Sequence, residues 1–330
     1  MIVVFTDFDI GAYYTKSLGV HARAREKTKW YNIVPEAATD VKPEFRQPFN
    51  HSIFQPLKNY ITVTDLHVRY GSFEAVKGVS FSLGEGEILG IVGESGSGKS
   101  TIAKTLIGLE KPSAGKIEFD FNDDGEDMSD ERGERDMGLL PRAPHDSRAP
   151  HVPDSSNNSI QMIFQDAVGS LNPRMTVRQT LEEVLRHGSK SSKVQDSPES
   201  LLSLVGLSNA VLDQYPREMS GGQCQRVSVA RALACRPKVL IADEPVSALD
   251  VSVQARVLNL LRDLRRDLGL SILLIAHDLA VVKNVCDRVC VMEKGLFVDV
   301  GNTEDVFASP GSEYTRRLLS VIPKIPTFLV

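Results

Sequence analysis

Gly93-Glu94-Ser95-Gly96-Ser97-Gly98-Lys99-Ser100 is the stretch that decides the fold of this 330-residue chain. The continuous apolar run 88–92 precedes it, as is typical of a buried parallel strand, and residues 100–109 follow with helical spacing. Glycines let the backbone wrap so that several N–H groups converge at the start of the helix, where an anion can bind. The sequence therefore predicts a strand, a phosphate-binding loop (P-loop, residues 93–100) and a helix.

Two side chains of the P-loop extend this prediction to a particular ligand. Lys99 supplies a mobile positive charge for the β and γ phosphates of ATP, and the Ser100 hydroxyl is placed to ligate Mg²⁺. A plain Gly/Ser turn ending in a helix cap is the alternative, but every fixed position of the motif is filled. The residues expected to bind ATP and Mg²⁺ here are Gly93, Glu94, Ser95, Gly96, Ser97, Gly98, Lys99, Ser100 and Thr101.

A pair of acidic residues follows the second buried apolar run, 239–242. Asp243 ends that run, where a P-loop enzyme needs a carboxylate to hold the Mg²⁺ shell. Glu244 is expected to orient and polarise the attacking water, an acid–base role that requires a carboxylate within hydrogen-bond reach. Asp-Glu pairs are common at strand ends, so this prediction depends on the P-loop upstream.

The remaining periodicity predicts an α/β fold with a P-loop core. Residues 61–64 and 79–83 alternate between apolar and polar side chains, which favours an antiparallel β subdomain. Residues 176–187 and 198–205 have helical spacing and predict a small helical subdomain. Strand, helix and strand alternate over 239–276, as in a parallel sheet covered by helices.

Composition excludes several functional classes. The net charge of −5 argues against a nucleic-acid partner, and no apolar run reaches the roughly 18 residues that span a bilayer. Asp7 and Asp9 follow the apolar start at once, so we predict no secretory signal. The four cysteines lack two-residue zinc spacing and are interpreted as buried thiols in a reducing cytoplasm rather than as a metal site: Cys224, Cys235, Cys286 and Cys290.

Two segments stand outside this pattern. Residues 1–58 lack periodicity and are predicted to be an N-terminal extension, either a solvated arm or a basic contact for anionic lipid or a partner. Residues 120–158 are predicted to be a flexible insertion, since nine acidic and two basic residues crowd 120–136 and Pro and Ser enrich the rest. A solvated surface loop and a docking or regulatory segment are the alternatives for this insertion.

A third motif connects the chain to a known family. Ser220-Gly221-Gly222-Gln223 is followed by Gln225-Arg226 and, from residue 230, by Ala-Arg-Ala-Leu. With these motifs the chain resembles the ATP-binding cassette ATPases of the ABC transporter superfamily, from about residue 60 to residue 323. The resemblance implies that this signature caps the γ phosphate bound by a second ATPase subunit, so that two ATP molecules lie between the subunits of a head-to-tail dimer. Physically, the signature is a second helix N-terminus aimed at phosphate.

The same resemblance implies roles for four single residues. Gln165 belongs to a loop that senses Mg²⁺ and contacts the transmembrane partner, and Asp250 serves communication across the dimer. His277 contacts the γ phosphate and supports Glu244, while Tyr70 stacks on adenine. The alternatives are a surface glutamine, a helix cap, a structural histidine and an ordinary strand tyrosine.

Three stretches narrow the resemblance to the ATPases of oligopeptide, dipeptide and nickel importers: 170–177, 245–255 and 314–319. They imply an ATPase domain at 59–308, with the helical subdomain at about 165–235, and a C-terminal extension at 309–330. Ala167 departs from the proline that the subfamily usually has after Gln-Asp.

This resemblance also implies partners and a location. The chain would couple ATP hydrolysis to uptake of peptides or a related solute through two permease subunits, served indirectly by a solute-binding protein, at the cytoplasmic face of the bacterial inner membrane. Two alternatives stay open: an accessory ATPase of a soluble complex, such as a phosphonate-cleaving lyase, and a regulatory cassette that binds ATP without hydrolysing it. The second is disfavoured because Lys99, Asp243, Glu244 and His277 are all present.

Overall fold

The strand predicted at 88–92 lies inside a six-stranded sheet. The computed structural model describes residues 58–121, 159–187, 197–247 and 249–321. In this sheet the strand order is β5-β6-β7-β3-β8-β9, and every neighbouring pair is parallel except β8 and β9. The strands are β3 (Ile88–Val92), β5 (Ile160–Ile163), β6 (Val239–Asp243), β7 (Ser271–Ala276), β8 (Arg288–Glu293) and β9 (Leu296–Asn302).

A second sheet contains three antiparallel strands in the order β2-β1-β4. They are β1 (Asn59–Tyr70), β2 (Phe73–Gly84) and β4 (Ala114–Phe119). Gly71 has φ 61° in the tight turn between β1 and β2, a conformation that glycine adopts at little steric cost. The predicted antiparallel subdomain is confirmed.

Eight helices surround the sheets in the part of the chain that the structure describes. They are α1 (Lys99–Leu106), α2 (Val177–His187), α3 (Pro198–Leu204), α4 (Gly221–Leu233), α5 (Val251–Leu268), α6 (Leu279–Val285), α7 (Thr303–Ala308) and α8 (Glu313–Val321). The predicted helix after the P-loop starts one residue earlier than expected and ends three residues earlier, at Leu106. None of these helices combines the length and apolar character needed to cross a bilayer.

Strand β3 is apolar throughout because both of its faces are covered by hydrophobic cores. All five residues of the strand are buried, and they alternate between two cores. Ile88 and Val92 face the core built with the helical subdomain, whereas Leu89 and Ile91 face the core shared with α1 and the antiparallel sheet. Because both faces are covered, a large-to-small substitution such as Ile91→Ala is expected to cost about 2–5 kcal/mol of stability.

The predicted boundaries of the N-terminal extension, the insertion and the C-terminal extension stay predictions. The extension at 1–58 and the insertion at 120–158 lie almost wholly outside the described residues, and the extension at 309–330 is described as far as residue 321. Three of the cysteines are buried and Cys235 is partly buried. Within the described ranges, no group of three or more His, Cys, Asp and Glu residues could hold a metal ion.

Candidate functional site

The predicted site residues gather where the parallel strands end. β3 leads into the P-loop, β6 ends at Asp243 with Glu244 next, and His277 directly follows β7. Gln165 comes two residues after β5. Because parallel strands have their carboxyl ends at one edge of a sheet, this topology alone brings residues that are up to 184 positions apart, from Gly93 to His277, to the same edge.

Glycine is required at two positions of the P-loop by close backbone contacts. A Cβ on Gly93 would lie 2.1 Å from the Met292 carbonyl oxygen, and one on Gly98 would lie 2.5 Å from the Ala75 carbonyl oxygen. Gly98 also has φ 110°, which other residues rarely adopt. The loop is therefore enclosed between β2 and the end of β8, with its backbone wrapped around the start of α1.

Lys99 is folded back onto the P-loop backbone. Its Nζ donates to the carbonyl oxygens of Gly93 and Glu94, each over 2.8 Å. The side chain is only 3% exposed, and this burial lowers the pKa of Lys99, while Glu244 and Asp243 partly offset the effect. An ammonium that has lost water and contacts neutral carbonyls would be stabilised by an incoming phosphate.

Ser100 and Asp243 form the pair that could hold a divalent cation. The Ser100 hydroxyl donates to Asp243 Oδ1 over 2.9 Å, and Asp243 is 5% exposed. Burial raises the pKa of Asp243, and the hydrogen bond from Ser100 offsets part of that change. Hydroxyl and carboxylate oxygens are the ligands that Mg²⁺ prefers, and a buried carboxylate gains from a nearby cation, so these residues fit Mg²⁺.

Glu244 has an unusual backbone conformation. Its φ is 45°, in the left-handed region that costs a non-glycine residue about 1–2 kcal/mol. The Glu244 N–H donates to the Ile275 carbonyl of β7 over 3.0 Å, and the Ser247 hydroxyl donates to the Glu244 carbonyl over 3.1 Å. Strain that neighbouring contacts maintain is common at functional sites, and here two hydrogen bonds to the main chain of Glu244 hold it in this conformation.

Three side chains surround the Glu244 carboxylate. Gln165 Nε2 donates to Oε2 over 3.1 Å, and His277 Nδ1 lies 3.6 Å from the same oxygen. Lys99 Nζ lies 4.0 Å from Oε1. The Glu244 side chain is 14% exposed and His277 is 54% exposed, so the carboxylate is sheltered yet open on the histidine side. This arrangement can hold a water molecule for attack and accept its proton.

Tyr70 lies at the end of β1 and is 43% exposed. Burial raises the pKa of its hydroxyl, and a hydrogen bond with Thr101 in α1 partly lowers it. The hydroxyl of Tyr70 is thus near the helix that follows the P-loop. Phe73, at the start of β2, is 62% exposed on the other side of the turn.

The signature residues occupy a different place. Ser220 caps α4 in a reciprocal pair with Gln223: Gln223 N donates to Ser220 Oγ over 3.3 Å and Ser220 N donates to Gln223 Oε1 over 2.9 Å. A Cβ on Gly222 would lie 2.4 Å from Val253 of α5, so the two helices begin in contact. In the described ranges, the hydrogen bonds of Ser220 and Gln223 stay within α4 and its cap, and none reaches the P-loop.

Asp250 caps the neighbouring helix. Its Oδ1 accepts from Val253 N over 3.0 Å and from the Ser252 hydroxyl over 2.9 Å. The hydrogen bond from the Val253 amide, together with that from Ser252, lowers the pKa of Asp250. Asp250 therefore caps α5, as the helix-cap alternative predicted. Its further role in communication across a dimer stays a prediction.

The structure adds one residue to the site that sequence reasoning had not assigned there. Tyr314, in α8, accepts a hydrogen bond at its hydroxyl from the Glu94 amide over 3.0 Å. The residue stood in the stretch 314–319 that carried the subfamily resemblance, but no local pattern indicates a partner 220 positions away.

These features define a class: a P-loop nucleotide-binding protein in which Asp243, Glu244 and His277 lie at the ends of neighbouring parallel strands. Residues 76–247 match the family described as ABC transporter. The chain belongs to this family, whose ATPases couple ATP hydrolysis to transport.

Relatives of known name agree with this assignment. The oligopeptide transport ATP-binding protein OppF of Lactococcus lactis subsp. lactis is 44% identical over 253 residues, covering 76% of this chain and 73% of that one. OppF of Escherichia coli is 46% identical over 255 residues, with 76% and 70% covered. The oligopeptide transport ATP-binding protein AppF of Bacillus subtilis is 43% identical over 257 residues, with 77% and 72% covered.

Solved structures confirm the predicted cassette fold. The cbiO1 protein of Clostridium perfringens, part of the ABC transporter complex cbiONQ, has a TM-score of 0.59 at 27% identity, with 76% of this chain and 92% of that chain covered. An ATP-binding cassette solved as a dimer in a post-hydrolysis state with ADP and Pi has a TM-score of 0.57 at 24% identity, with 74% and 98% covered.

Proposed function

We propose that the chain is the Mg²⁺-dependent ATPase subunit of a bacterial importer for peptides or a related solute. The observation that carries the proposal is the arrangement around Glu244: Gln165 donates to its carboxylate, His277 lies 3.6 Å away, and the P-loop lysine lies 4.0 Å away. A cassette that only binds ATP has no need for a sheltered carboxylate beside the P-loop.

The chemistry follows from the positions of the side chains. P-loop amides and Lys99 bind the phosphates, Glu244 orients the attacking water and accepts its proton, and His277 supports that carboxylate and the γ phosphate. Ser100 and Asp243 would hold Mg²⁺, with Gln165 adding its Oε1 atom because Nε2 is engaged by Glu244. Bound Mg²⁺ neutralises charge that develops on the phosphate oxygens.

The proposal extends to partners that would complete the site. A second cassette would present its residues 220–223 to the nucleotide of this chain, since among the described residues the hydrogen bonds of Ser220 and Gln223 stay within the cap of α4 and none reaches the P-loop. Two permease subunits would receive the motion of the dimer, with a solute-binding protein delivering the solute, and the chain would sit peripherally on the cytoplasmic membrane face. The names of the relatives, all oligopeptide transport proteins, support peptide as the solute.

Uptake in the bacterium that carries the gene provides the test. Deleting the gene should abolish ATP-dependent uptake of a labelled oligopeptide, and the wild-type chain should restore it, whereas Lys99→Ala should not. A tagged chain should co-purify with membrane permeases. Unchanged uptake in the deletion strain, together with stable association with soluble lyase subunits alone, would favour the accessory-ATPase alternative and refute the proposal.

A further inference from the structure

One peptide group of the P-loop is held from both of its ends. The Gly93 carbonyl oxygen accepts from Lys99 Nζ over 2.8 Å, and the Glu94 N–H of the same peptide group donates to the Tyr314 hydroxyl over 3.0 Å. This group is the first of the loop, so its orientation sets the direction in which the backbone enters the phosphate-binding turn.

Tyr314 is well placed for a fixed contact. It lies in the first turn of α8 and is 5% exposed, and the Arg317 guanidinium lies 5.9 Å from the centre of its ring. Burial raises the pKa of the Tyr314 hydroxyl, so the phenol stays neutral at physiological pH. At that pH the oxygen of the neutral hydroxyl accepts from the Glu94 amide.

The segment that carries Tyr314 is itself fastened to β9 by one carboxylate. Asp299 Oδ1 accepts from Gly311 N over 3.0 Å, and Oδ2 accepts from Ser312 N over 3.0 Å and from the Thr315 hydroxyl. Burial by itself raises the pKa of Asp299, but the hydrogen bonds from Thr315, Ser312 and Gly311 outweigh it and the pKa is lowered. A Cβ on Gly311 would lie 2.6 Å from Oδ1, so the chain at residue 311 lies too close to the carboxylate for a larger residue.

We propose that Tyr314 is a positioning residue for nucleotide binding. Asp299 fixes the start of α8, α8 fixes the Tyr314 hydroxyl, and the hydroxyl fixes the peptide group on which Lys99 rests. The inference rests on the proposed function because it takes ATP as the ligand of the loop. The proposed role of Tyr314 gives the C-terminal segment 309–321 a direct influence on the ATP site.

The hydroxyl matters because it accepts from the Glu94 N–H and so keeps the first peptide group of the loop in one orientation. Without the hydroxyl, the Glu94 amide would turn toward another acceptor, and the N–H groups that follow it in the loop would shift away from the phosphates. Both phosphates that ATP and ADP share would then be bound less well.

Tyr314→Phe in the full chain provides the test, because it removes one oxygen and keeps the ring. The dissociation constants of ATP and ADP, measured by calorimetry, should both rise by about three- to tenfold, as expected when a part-buried N–H donor loses its partner. The KM for ATP should rise similarly while kcat stays within about twofold, since the lost interaction is equal in ground and transition states. Tyr60→Phe is the matched control: Tyr60 is 7% exposed and donates to Glu85 over 2.9 Å in the antiparallel sheet, and this variant should bind nucleotide as the wild type does.

A second variant separates a positioning role from a purely structural one. Asp299→Ala should weaken nucleotide binding in the same direction, and the double variant with Tyr314→Phe should be no weaker than the worse single variant, because both changes break one chain of contacts. If Tyr314→Phe lowers the melting temperature but leaves both dissociation constants unchanged, the hydroxyl only stabilises the fold and the inference is wrong. A wild-type chain that binds no ATP would instead refute the proposed function.

Discussion

Glu244 Oε2 accepts a hydrogen bond from Gln165 Nε2 over 3.1 Å, which joins the proposed catalytic carboxylate to the segment that follows β5. The same amide nitrogen lies 3.5 Å from the Ser247 hydroxyl. Gln165 is thus held by two residues of the turn after β6, and a shift of its loop would alter the hydrogen bonding of Glu244. A permease that moves this loop could therefore influence hydrolysis without contacting the nucleotide.

Glu244→Gln should retain ATP binding and abolish turnover. The amide is similar in shape but cannot accept a proton from water, and general-base catalysis contributes about 10²–10⁴-fold in rate. Phosphate release should fall by that range, while ATP should hold the chain in a dimer detectable by size-exclusion chromatography with light scattering. Glu118→Gln, at an exposed position of strand β4, is the control and should behave as wild type. Sustained hydrolysis by Glu244→Gln would show that another group activates the water.

Asp243→Asn should stabilise the nucleotide-free protein and impair its use of Mg²⁺. Because burial raises the pKa of Asp243, its ionised form is less stable in the folded chain than in the unfolded one, and the carboxylate subtracts stability above about pH 4. The amide removes this cost while it can still accept from Ser100. We expect a higher melting temperature in EDTA at neutral pH, with about 2–4 °C for each kcal/mol of stability gained. The Mg²⁺ concentration for half-maximal ATPase activity should rise at least about tenfold. A lower melting temperature would mean that Asp243 stabilises the fold through contacts that the amide cannot replace.

Gly98→Ala should abolish nucleotide binding. The added methyl would lie 2.5 Å from the Ala75 carbonyl at a residue with φ 110°, so β2 and the loop cannot keep their present distance. Gly86→Ala is the matched control, because Gly86 also has positive φ, 63°, but has nothing within 4 Å of the added Cβ. The control should lose only about 1 kcal/mol of stability and keep its nucleotide affinity. Normal ATP binding by folded Gly98→Ala would contradict the close approach seen here.

The strands that position the site could be predicted from the sequence, whereas the hydrogen bonds between distant segments could not. The run 88–92 and the run 239–242 predict buried parallel strands, and topology then brings Asp243 to the P-loop without further information. The left-handed backbone of Glu244 leaves no mark on the residue type, since glutamate rarely adopts it. The contacts of Tyr314 and Asp299 depend on the packing of α8 against β9, for which neither periodicity nor spacing provides a pattern. Tertiary hydrogen bonds between distant segments were therefore the part that required the structure.

His67 should make the stability of the antiparallel sheet depend on pH. A hydrogen bond to Glu74 raises the pKa of His67 most, burial lowers it, and Asp65 adds to the increase, so the folded value lies above the ordinary 6.5. The stabilisation is fully present below about pH 6.5 and is lost as pH rises through the folded value. The melting temperature should therefore fall more between about pH 6 and about pH 8.5 in wild type than in His67→Gln. An equal fall in both proteins would show that other groups account for the pH dependence.

Mixtures of two inactive variants should recover activity if the site is completed by a second subunit. Lys99→Ala removes the P-loop cation, and Ser220→Ala removes the signature hydroxyl together with a helix cap worth about 1 kcal/mol. In a mixed head-to-tail dimer, the intact loop of one variant meets the intact signature of the other at one site. About half of the dimers in an equimolar mixture are mixed and each has one intact site, so ATPase activity should return to about a quarter of the wild-type value. Each variant alone is the control and should stay inactive. If the signature served the P-loop of its own chain, both sites of every mixed dimer would be defective and the mixture would stay inactive. Differential tags on the two variants would verify that subunits exchange. An inactive mixture with verified exchange would rule out the two-subunit site.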